Sequence, residues 1–293
     1  MLGSAAGGGF PQWNCGCHLC KLVRCQDPRV QAATQASVAL TGDGNDWVLV
    51  GASPDLRQQL SQTPQLWPRT SARDSPITGV VLTGGDIDAI AGLLVLRERQ
   101  PFTVYAPKPI LDLLSENDVF NVLDPAIVRR VEVNLMQPIQ CGPNLTVTLL
   151  PMPGKIPLYR EDRTAVEPQA ALAYAAVARA NGRSVIVATA CAEITETVLA
   201  SLREADVLFF DGTLFTDDEM ITAGLSEKTG TRMGHMPISG PRGTLARLAN
   251  LPASRIFLHI NNTNPILLRG SPERQQVEAA GWQVAFDGME VSL

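Results

Sequence analysis

Nine short apolar runs of strand length recur along this chain, and together they limit the folds it can adopt. Each run is rich in β-branched or other apolar residues and is bounded by Gly, Pro, Asn or Asp. The runs occupy residues 38–40, 47–50, 78–82, 145–149, 171–177, 184–188, 207–210, 256–260 and 282–286. Helical periodicity falls between several of them, at residues 86–99, 193–204, 217–223 and 244–251. Early strand pairs followed by alternating strands and helices predict an α/β sandwich of mixed sheets with helices outside.

Length and charge narrow the class of protein further. The 293 residues fit one large domain spanning residues 1–293, and the 45% of apolar residues can supply a sizeable core. The net charge of −5 is spread without basic runs, which argues against binding to nucleic acid or to an anionic membrane. Residues 1–10 lack a positive segment, and no stretch approaches the roughly 20 apolar residues of a membrane span. We therefore predict a cytoplasmic protein that acts on a small molecule or a peptide.

Three of the six cysteines are clustered in the spacing Cys-x-Cys-x-x-Cys, as Cys15, Cys17 and Cys20. Three thiolates this close on one turn can reach a single tetrahedral ion, and thiolates suit zinc. The sequence thus predicts a structural Zn²⁺ site in a loop at about residues 14–21, although three ordinary reduced cysteines stay an alternative. His18 is poorly placed to bend back, so the fourth ligand is expected from a distant segment. The remaining cysteines are interpreted as buried apolar fillers: Cys25, Cys141 and Cys191.

Carboxylates and histidines follow directly after several of the strand-like runs. These residues are Asp55, Asp86, Asp88, Asp211 and His259, with His235 as a further candidate. Because strand ends at one edge of a sheet converge, these groups could form a shared metal or catalytic site. Each has a simpler explanation as well: Asp86 as a helix cap, Asp211 as a turn residue and His259 as a buried histidine with satisfied hydrogen bonds.

The order of these residues resembles the metallo-β-lactamase superfamily. In that superfamily a strand-end Asp, a Thr-His-x-His-x-Asp-His segment, a Pro-Gly-His, a later Asp and a final His hold metal at the edge of an αββα sandwich. Longer stretches of the chain resemble one family of this superfamily, that of coenzyme PQQ (pyrroloquinoline quinone) synthesis protein B. They run nearly from end to end and comprise residues 2–15, 52–60, 210–214, 232–235, 259–267 and 286–289.

This resemblance implies a role in making PQQ from a precursor peptide that contains Glu and Tyr. Members of the family have been interpreted as iron-dependent hydroxylases of the tyrosine-derived ring, and alternatively as carriers of PQQ or its precursor toward the periplasm. Carried over to this chain, the resemblance implies Fe²⁺ held by Asp88, Asp211 and His259, with Asp55 in support. His235 and Asp86 would be catalytic, and His235 could instead be a ligand. The expected partner is a peptide-derived PQQ intermediate; contacts with other proteins of the pathway and a homodimer stay open.

The chain departs from the superfamily pattern at several positions. Gly84 and Asp86 stand where the superfamily has its first two histidines, and Lys155 stands where the Pro-Gly-His segment has its histidine. Ala89 replaces a histidine that both the superfamily and the usual form of the family carry. A two-zinc hydrolase centre is therefore not expected, and the missing imidazole at position 89 should weaken metal retention. That loss also motivates the carrier alternative.

Two further points stay open in the sequence. The fourth ligand of the cysteine site could be His259 or Asn262, which lie close together in the chain. The family pattern has a few more residues of leading strand before the turn at residues 2–9, so we expect either a very short first strand at the sheet edge or a true start upstream of Met1.

Overall fold

The computed structural model describes residues 1–154, 157, 159 and 173–293, and its strands form two mixed sheets. The five-stranded sheet has the order β1-β2-β3-β4-β5 and the seven-stranded sheet the order β12-β11-β10-β9-β8-β7-β6. The strands are β1 (Val38–Leu40), β2 (Trp47–Val50), β3 (Ile77–Val81), β4 (Phe102–Ala106), β5 (Val128–Glu132), β6 (Ile139–Gly142), β7 (Leu145–Pro151), β8 (Tyr174–Ala180), β9 (Arg183–Ala188), β10 (Val207–Asp211), β11 (Ser254–Leu258) and β12 (Trp282–Val284). Adjacent strands are parallel within β2–β5 and within β9–β12, whereas the pairs β1–β2, β6–β7, β7–β8 and β8–β9 are antiparallel.

Strand β10 shows why the two sheets stack with helices outside them. Its side chains alternate between faces, as a strand requires. Val207 and Phe209 join the core between the sheets, whereas Leu208 and Phe210 join the core under the helices. All four are buried, so this strand contributes apolar surface to both layers.

Eight α-helices lie among the described residues, and four of them, α2, α4, α5 and α8, pack on the outer faces of the two sheets. They are α1 (His18–Arg24), α2 (Leu56–Gln62), α3 (Ile87–Ile90), α4 (Lys108–Ser115), α5 (Glu196–Leu202), α6 (Glu219–Thr222), α7 (Thr244–Arg247) and α8 (Pro272–Ala279). Short 3₁₀ helices occur at Pro64–Leu66, Ala91–Leu96, Asp118–Val122, Thr231–Met233 and Pro265–Leu267. Helices α2 and α4 pack in the core of the five-stranded sheet, and α5 and α8 pack in that of the seven-stranded sheet. The predicted αββα sandwich is thereby confirmed.

The nine predicted strand runs each overlap an observed strand, although residues 171 and 172 of one run lie outside the described residues. Lys155, at the position of the superfamily's Pro-Gly-His histidine, also lies outside the described residues. The predicted helix at residues 86–99 is wrong in form, because α3 ends at Ile90 and continues as a 3₁₀ helix. The cause is a close approach at Gly92. Its amide donates to the Ala52 carbonyl at 2.8 Å, and a Cβ there would lie 2.2 Å from the Ser53 carbonyl oxygen. That tertiary hydrogen bond replaces the one that would continue the α-helix.

The expected short first strand is instead a series of isolated bridges. Gly3 pairs with Ser37, and Ala5 pairs with both Gln35 and Ile260. The N-terminal segment therefore runs between the two sheets and reaches the end of β11. No helix in the described part of the chain is long and apolar enough to span a membrane.

Candidate functional site

Strands β10 and β11 end side by side and bring distant polar residues together at their carboxyl ends. Asp211 closes β10 and His259 follows β11, while His235 comes from the loop after a 3₁₀ helix. One ligand atom from each of these three residues lies within 4.8 Å of the others. Asp88, on α3, completes the group, because its Oδ2 lies 2.9 Å from His259 Nε2. We call Asp88, Asp211, His235 and His259 the Asp–His cluster.

Thr213 fixes the protonation of both imidazoles. Its hydroxyl oxygen lies 2.6 Å from Asp211 Oδ1 and 3.0 Å from the His259 carbonyl oxygen, and we assign the single hydroxyl hydrogen to the shorter contact, with the carboxylate. The same oxygen lies 2.9 Å from His259 Nδ1 and 3.0 Å from His235 Nδ1, so it must accept from them. His235 Nδ1 also donates to Asp211 Oδ2 at 2.8 Å. Both histidines therefore carry their proton on Nδ1 and present Nε2, as metal-bound histidines commonly do.

His259 and Asp88 then face one another in a way that calls for a cation. With Nδ1 protonated, His259 either donates a second N–H to Asp88 in its charged form or, in its neutral form, presents an Nε2 lone pair to a carboxylate oxygen at 2.9 Å. Two acceptors at this distance need a shared proton or a metal ion between them. His259 also holds a left-handed backbone conformation, with φ of 56°, which a non-glycine residue adopts only when its surroundings hold it.

Asp211 is a fully buried carboxylate with four donors. Besides Thr213 Oγ1 and His235 Nδ1, it accepts from the backbone amides of Cys191 and Thr213, each at 3.0 Å. Burial would raise its pKa, but the charges of His235 and His259 together with these hydrogen bonds outweigh burial, so the pKa of Asp211 lies below its ordinary value. Burial, and then the charge of Asp211, raises the pKa of the Cys191 thiol. The site thus holds a carboxylate anion beside two nitrogen donors, a set that suits ferrous iron or zinc.

A small pocket opens onto this cluster between the two sheets. Its walls include Thr83, Gly84, Asp86, Asp88, Ala89 and His259. Asp86 stands at the N-cap position of α3 but makes no side-chain capping bond, so its carboxylate is a pocket residue rather than a helix cap. Ala89 lies in the same wall, and a histidine at that position would stand next to the Asp–His cluster.

Asp55 is placed differently from the other strand-end candidates. Its Oδ2 accepts from the Gln35 backbone amide at 2.9 Å and from Gln35 Nε2 at 3.0 Å. The Gln35 side-chain oxygen in turn accepts from the Gly8 amide at 3.0 Å. Within the described part of the chain, Asp55 accepts from Gln35 and from neither histidine, so it supports the N-terminal segment.

The three clustered cysteines form a second candidate metal site. Their sulfur atoms lie within 4.8 Å of one another, at the start of α1, and we call them the cysteine cluster. The Asn262 side chain, with its nitrogen in this orientation, lies 3.1 Å from Cys15 Sγ, 3.7 Å from Cys17 Sγ and 3.3 Å from Cys20 Sγ. Of the two residues considered for the fourth position, Asn262 is at the sulfurs and His259 is in the Asp–His cluster.

The surroundings of the sulfurs fit a thiolate-bound ion. A tetrahedral ion with bonds of about 2.3 Å to sulfur needs sulfurs about 3.8 Å apart, which this grouping permits. Burial raises the pKa of the Cys20 thiol to about 11. For Cys15 the effect of burial is outweighed by hydrogen bonds from the Cys17 amide, the neighbouring thiols and Asn262, so its pKa is lowered. His18 is exposed at the start of α1, as expected of a residue outside the site.

The other cysteines only partly follow their predicted role. Cys141 and Cys191 are buried, but Cys25 is exposed, because it caps the C-terminus of α1 at the surface. Cys191 is also more than a filler, since its backbone amide donates to Asp211.

Sequence reasoning missed Thr213, which contacts three members of the Asp–His cluster. The residue lies in the stretch 210–214 that carries the family resemblance, two positions after Asp211, and this offset was the available signal. A hydroxyl two residues after a strand-end Asp commonly bonds back to that carboxylate. Its simultaneous contact with both histidines depends on tertiary structure, which a linear pattern does not show.

Known proteins resemble this chain over its whole length. Residues 46–260 match the β-lactamase superfamily domain. Coenzyme PQQ synthesis protein B from Methylobacterium radiotolerans is 49% identical to this chain, and the alignment covers 100% of this chain and 99% of that protein. The protein of the same name from Gluconacetobacter diazotrophicus is also 49% identical, over 100% of this chain and 98% of that protein. The crystal structure of Zn²⁺-bound PqqB from Methylobacterium extorquens superposes with a TM-score of 0.94 at 46% identity, covering 100% of this chain and 98% of that one. A diphosphatase of the PhnP family shares the fold, with a TM-score of 0.67 at 21% identity over 100% and 96%. By this similarity and by the fold, the chain belongs to the coenzyme PQQ synthesis protein B family of the β-lactamase superfamily.

Proposed function

We propose that this protein acts in PQQ biosynthesis as an iron-dependent hydroxylase of the tyrosine-derived ring of a Glu–Tyr precursor. The observation that carries the proposal is the Asp–His cluster, in which His259 Nε2 and Asp88 Oδ2 face one another at 2.9 Å beside the buried Asp211. Asp88, Asp211 and His259 would hold the ion, and three protein donors leave coordination positions open for oxygen and substrate. The assignment to PQQ biosynthesis is supported by the relatives, which are named coenzyme PQQ synthesis protein B.

A ferrous ion in this site would supply the reductive activation of dioxygen. The overall reaction replaces a ring C–H bond with C–OH; one oxygen atom enters the ring, the other leaves as water, and a reductant supplies two electrons and two protons. The chain's own residues would bind and orient the ring in the pocket, where the Asp86 carboxylate can accept from a substrate hydroxyl or amine. His235, held by Asp211 through Nδ1, would accept or return a proton at Nε2.

In the same proposal the cysteine cluster holds a structural zinc ion. Cys15, Cys17 and Cys20 supply three thiolates, and Asn262 lies where a fourth ligand would be. The amide oxygen of Asn262 can reach the ion after a half-turn of its side chain; otherwise its N–H groups hydrogen-bond the thiolates. The zinc in the crystal structure of the Methylobacterium extorquens relative supports the presence of a zinc site in this family.

Anaerobic loading followed by exposure to oxygen tests the hydroxylase proposal. Protein loaded with Fe²⁺ is mixed with a tyrosine-containing precursor and a two-electron reductant, and mass spectrometry detects the gain of one oxygen atom. We expect product with the wild type, loss of iron binding in His259→Gln, and a rate lowered by about 100-fold with iron retained in His235→Gln. His18→Gln is the matched control, because His18 is exposed on α1.

The carrier alternative predicts a different result in the same experiment. A carrier would bind the precursor or PQQ tightly and release it unchanged, with or without iron. Tight binding without oxygen uptake, even with iron bound, would therefore contradict the hydroxylase proposal.

A further inference from the structure

The two candidate metal sites share one short stretch of chain. His259 belongs to the Asp–His cluster, and Asn262, three positions later, contacts all three sulfurs of the cysteine cluster. The backbone carbonyl of Asn262 also lies 3.7 Å from Cys17 Sγ. We call residues 259–264 the bridging loop. Three residues span at most about 10 Å, so this loop keeps the two clusters close together.

The bridging loop is tied to its surroundings at almost every residue. The Ile260 amide donates to the Ser4 carbonyl at 3.0 Å, and the Asn261 amide donates to the Thr213 carbonyl at 3.0 Å. The Asn264 side chain donates to the carbonyl of Gly212 at 2.9 Å. These bonds join the bridging loop to Gly212 and Thr213, the two residues that follow Asp211, so a displacement of Asn262 would be passed on to the Asp–His cluster.

A second connection reaches Asp88. The Ala6 amide donates to the Ile260 carbonyl at 2.9 Å, and the next residue, Gly7, lies so close to Asp88 that a Cβ there would be 3.5 Å from Asp88 Oδ2. The same segment continues through Phe10, which packs in one buried cluster with Cys15 and Cys20. His259 is thus connected to the cysteine cluster by short, hydrogen-bonded segments, and Asp88 lies beside one of them at Gly7.

Loading of the cysteine cluster changes how firmly Asn262 is held. Three neutral thiols are weak acceptors, whereas thiolates on a metal ion are charged, and hydrogen bonds to charged groups are shorter and stronger. Direct ligation by the amide oxygen would hold the residue more firmly still. In either case a filled cysteine cluster restrains the loop that keeps His259 in its left-handed conformation.

We propose that the cysteine cluster, through Asn262, positions His259 for metal binding, so that zinc at the sulfurs prepares the second site. This inference rests on the proposed zinc at Cys15, Cys17 and Cys20. It makes Asn262 a positioning residue and not a catalytic one. By linkage, occupancy of either site favours occupancy of the other.

The chain contains only three histidines, which makes a direct test practical. The imidazole nitrogen signals of His18, His235 and His259 are recorded by NMR in iron-free protein that holds one zinc per chain, a zinc that the Cys15, Cys17 and Cys20 triple-serine variant lacks, together with hydrogen exchange at the Ile260 amide. We expect removal of zinc with a chelator to shift the His259 signals and to speed exchange at Ile260 by at least about tenfold. The zinc-loaded Asn262→Ala variant should show the same shift of the His259 signals and the same faster exchange at Ile260, and its His18 signals should be unchanged. Asn250→Ala, at an exposed position, is the matched control.

The outcomes separate this inference from the hydroxylase proposal, because the readout needs neither iron nor substrate. Unchanged His259 signals after zinc removal, with zinc loss verified by elemental analysis, would overturn it. Shifted signals after zinc removal but not in Asn262→Ala would overturn the role of Asn262. Protein that holds no zinc before chelation would overturn it as well, together with the proposed zinc site.

Discussion

The cysteine cluster and the Asp–His cluster differ in donor chemistry and in how the fold assembles them. The first takes three sulfur atoms from one loop at the start of α1. The second takes oxygen and nitrogen donors from separate segments, and its Asp88–His259 contact joins residues 171 positions apart. A site built on one loop can lose its ion while the sandwich persists. A site built where strands end is part of the packing, so its residues stabilise the fold even without metal.

The largest effect is expected from Asp211→Ala. This carboxylate is fully buried and accepts four hydrogen bonds, so its removal leaves two backbone amides, a hydroxyl and an imidazole without their acceptor. We expect a loss of about 3 to 5 kcal/mol in the free energy of unfolding of metal-free protein, measured by urea denaturation. Asp27→Ala, which removes a surface pair with Arg29, is the control and should show no comparable loss. An equally small loss of unfolding free energy in Asp211→Ala and Asp27→Ala would contradict the claim that the Asp–His cluster stabilises the fold without metal.

Cys20→Ser should show the next largest effect, and only where zinc is present. Zinc that binds the folded state stabilises it by about 2.7 kcal/mol at a hundredfold excess over its dissociation constant. We expect wild-type protein to lose about this much stability on addition of a chelator, and Cys20→Ser to be insensitive to the chelator. Cys25→Ser, at an exposed cysteine outside the cluster, should behave as the wild type does. Chelator sensitivity that survives in Cys20→Ser would place the stabilising ion elsewhere.

Thr213→Val sharpens the comparison inside the Asp–His cluster. Valine keeps the shape but removes the hydroxyl, which leaves His259 Nδ1 without its acceptor and Asp211 Oδ1 without its shortest donor. The expected loss in the free energy of unfolding is about 1 to 3 kcal/mol, with weaker metal binding as well. Thr213→Ser keeps the hydroxyl and should retain most of both properties. Equal effects of the two substitutions would show that packing, and not the hydroxyl, matters here.

Ala89→His should give the smallest effect, as a gain. The residue lies in the pocket wall beside Asp88, so an added imidazole offers one more nitrogen donor to an ion in the cluster. We expect iron affinity to rise about tenfold, which corresponds to about 1.4 kcal/mol, in an anaerobic titration. Zinc at the cysteine cluster should be unchanged. An unchanged iron affinity would mean that the wild-type donors already complete the site.

The contrast also explains what the sequence could predict. The Cys15, Cys17 and Cys20 spacing is local, so it indicated its site without knowledge of the fold. Asp88, Asp211 and His259 were predictable only because each follows a strand, and because their order resembles a known superfamily. The fold class followed from apolar runs such as 207–210, whose alternating side chains fill both cores.

Features that depend on tertiary contacts were not predictable. Strands β4, β5 and β6 escaped the strand prediction. The helix from residue 86 was predicted too long, because the bond from Gly92 to the Ala52 carbonyl is invisible in the local pattern. Placing Asn262 at the sulfurs likewise required the path of the bridging loop. Thr213 shows the same limit, because its role depends on two histidines brought together by the fold.

The most direct test of the two-site account is the metal content of one preparation, loaded anaerobically with zinc and iron. We expect the wild type to hold one zinc and one iron per chain. The Cys15, Cys17 and Cys20 triple-serine variant should lose its zinc, and Asp88→Asn combined with His259→Gln should lose its iron while keeping zinc. Iron retained in the latter variant, or a wild type that holds only the cysteine-bound zinc, would contradict the account.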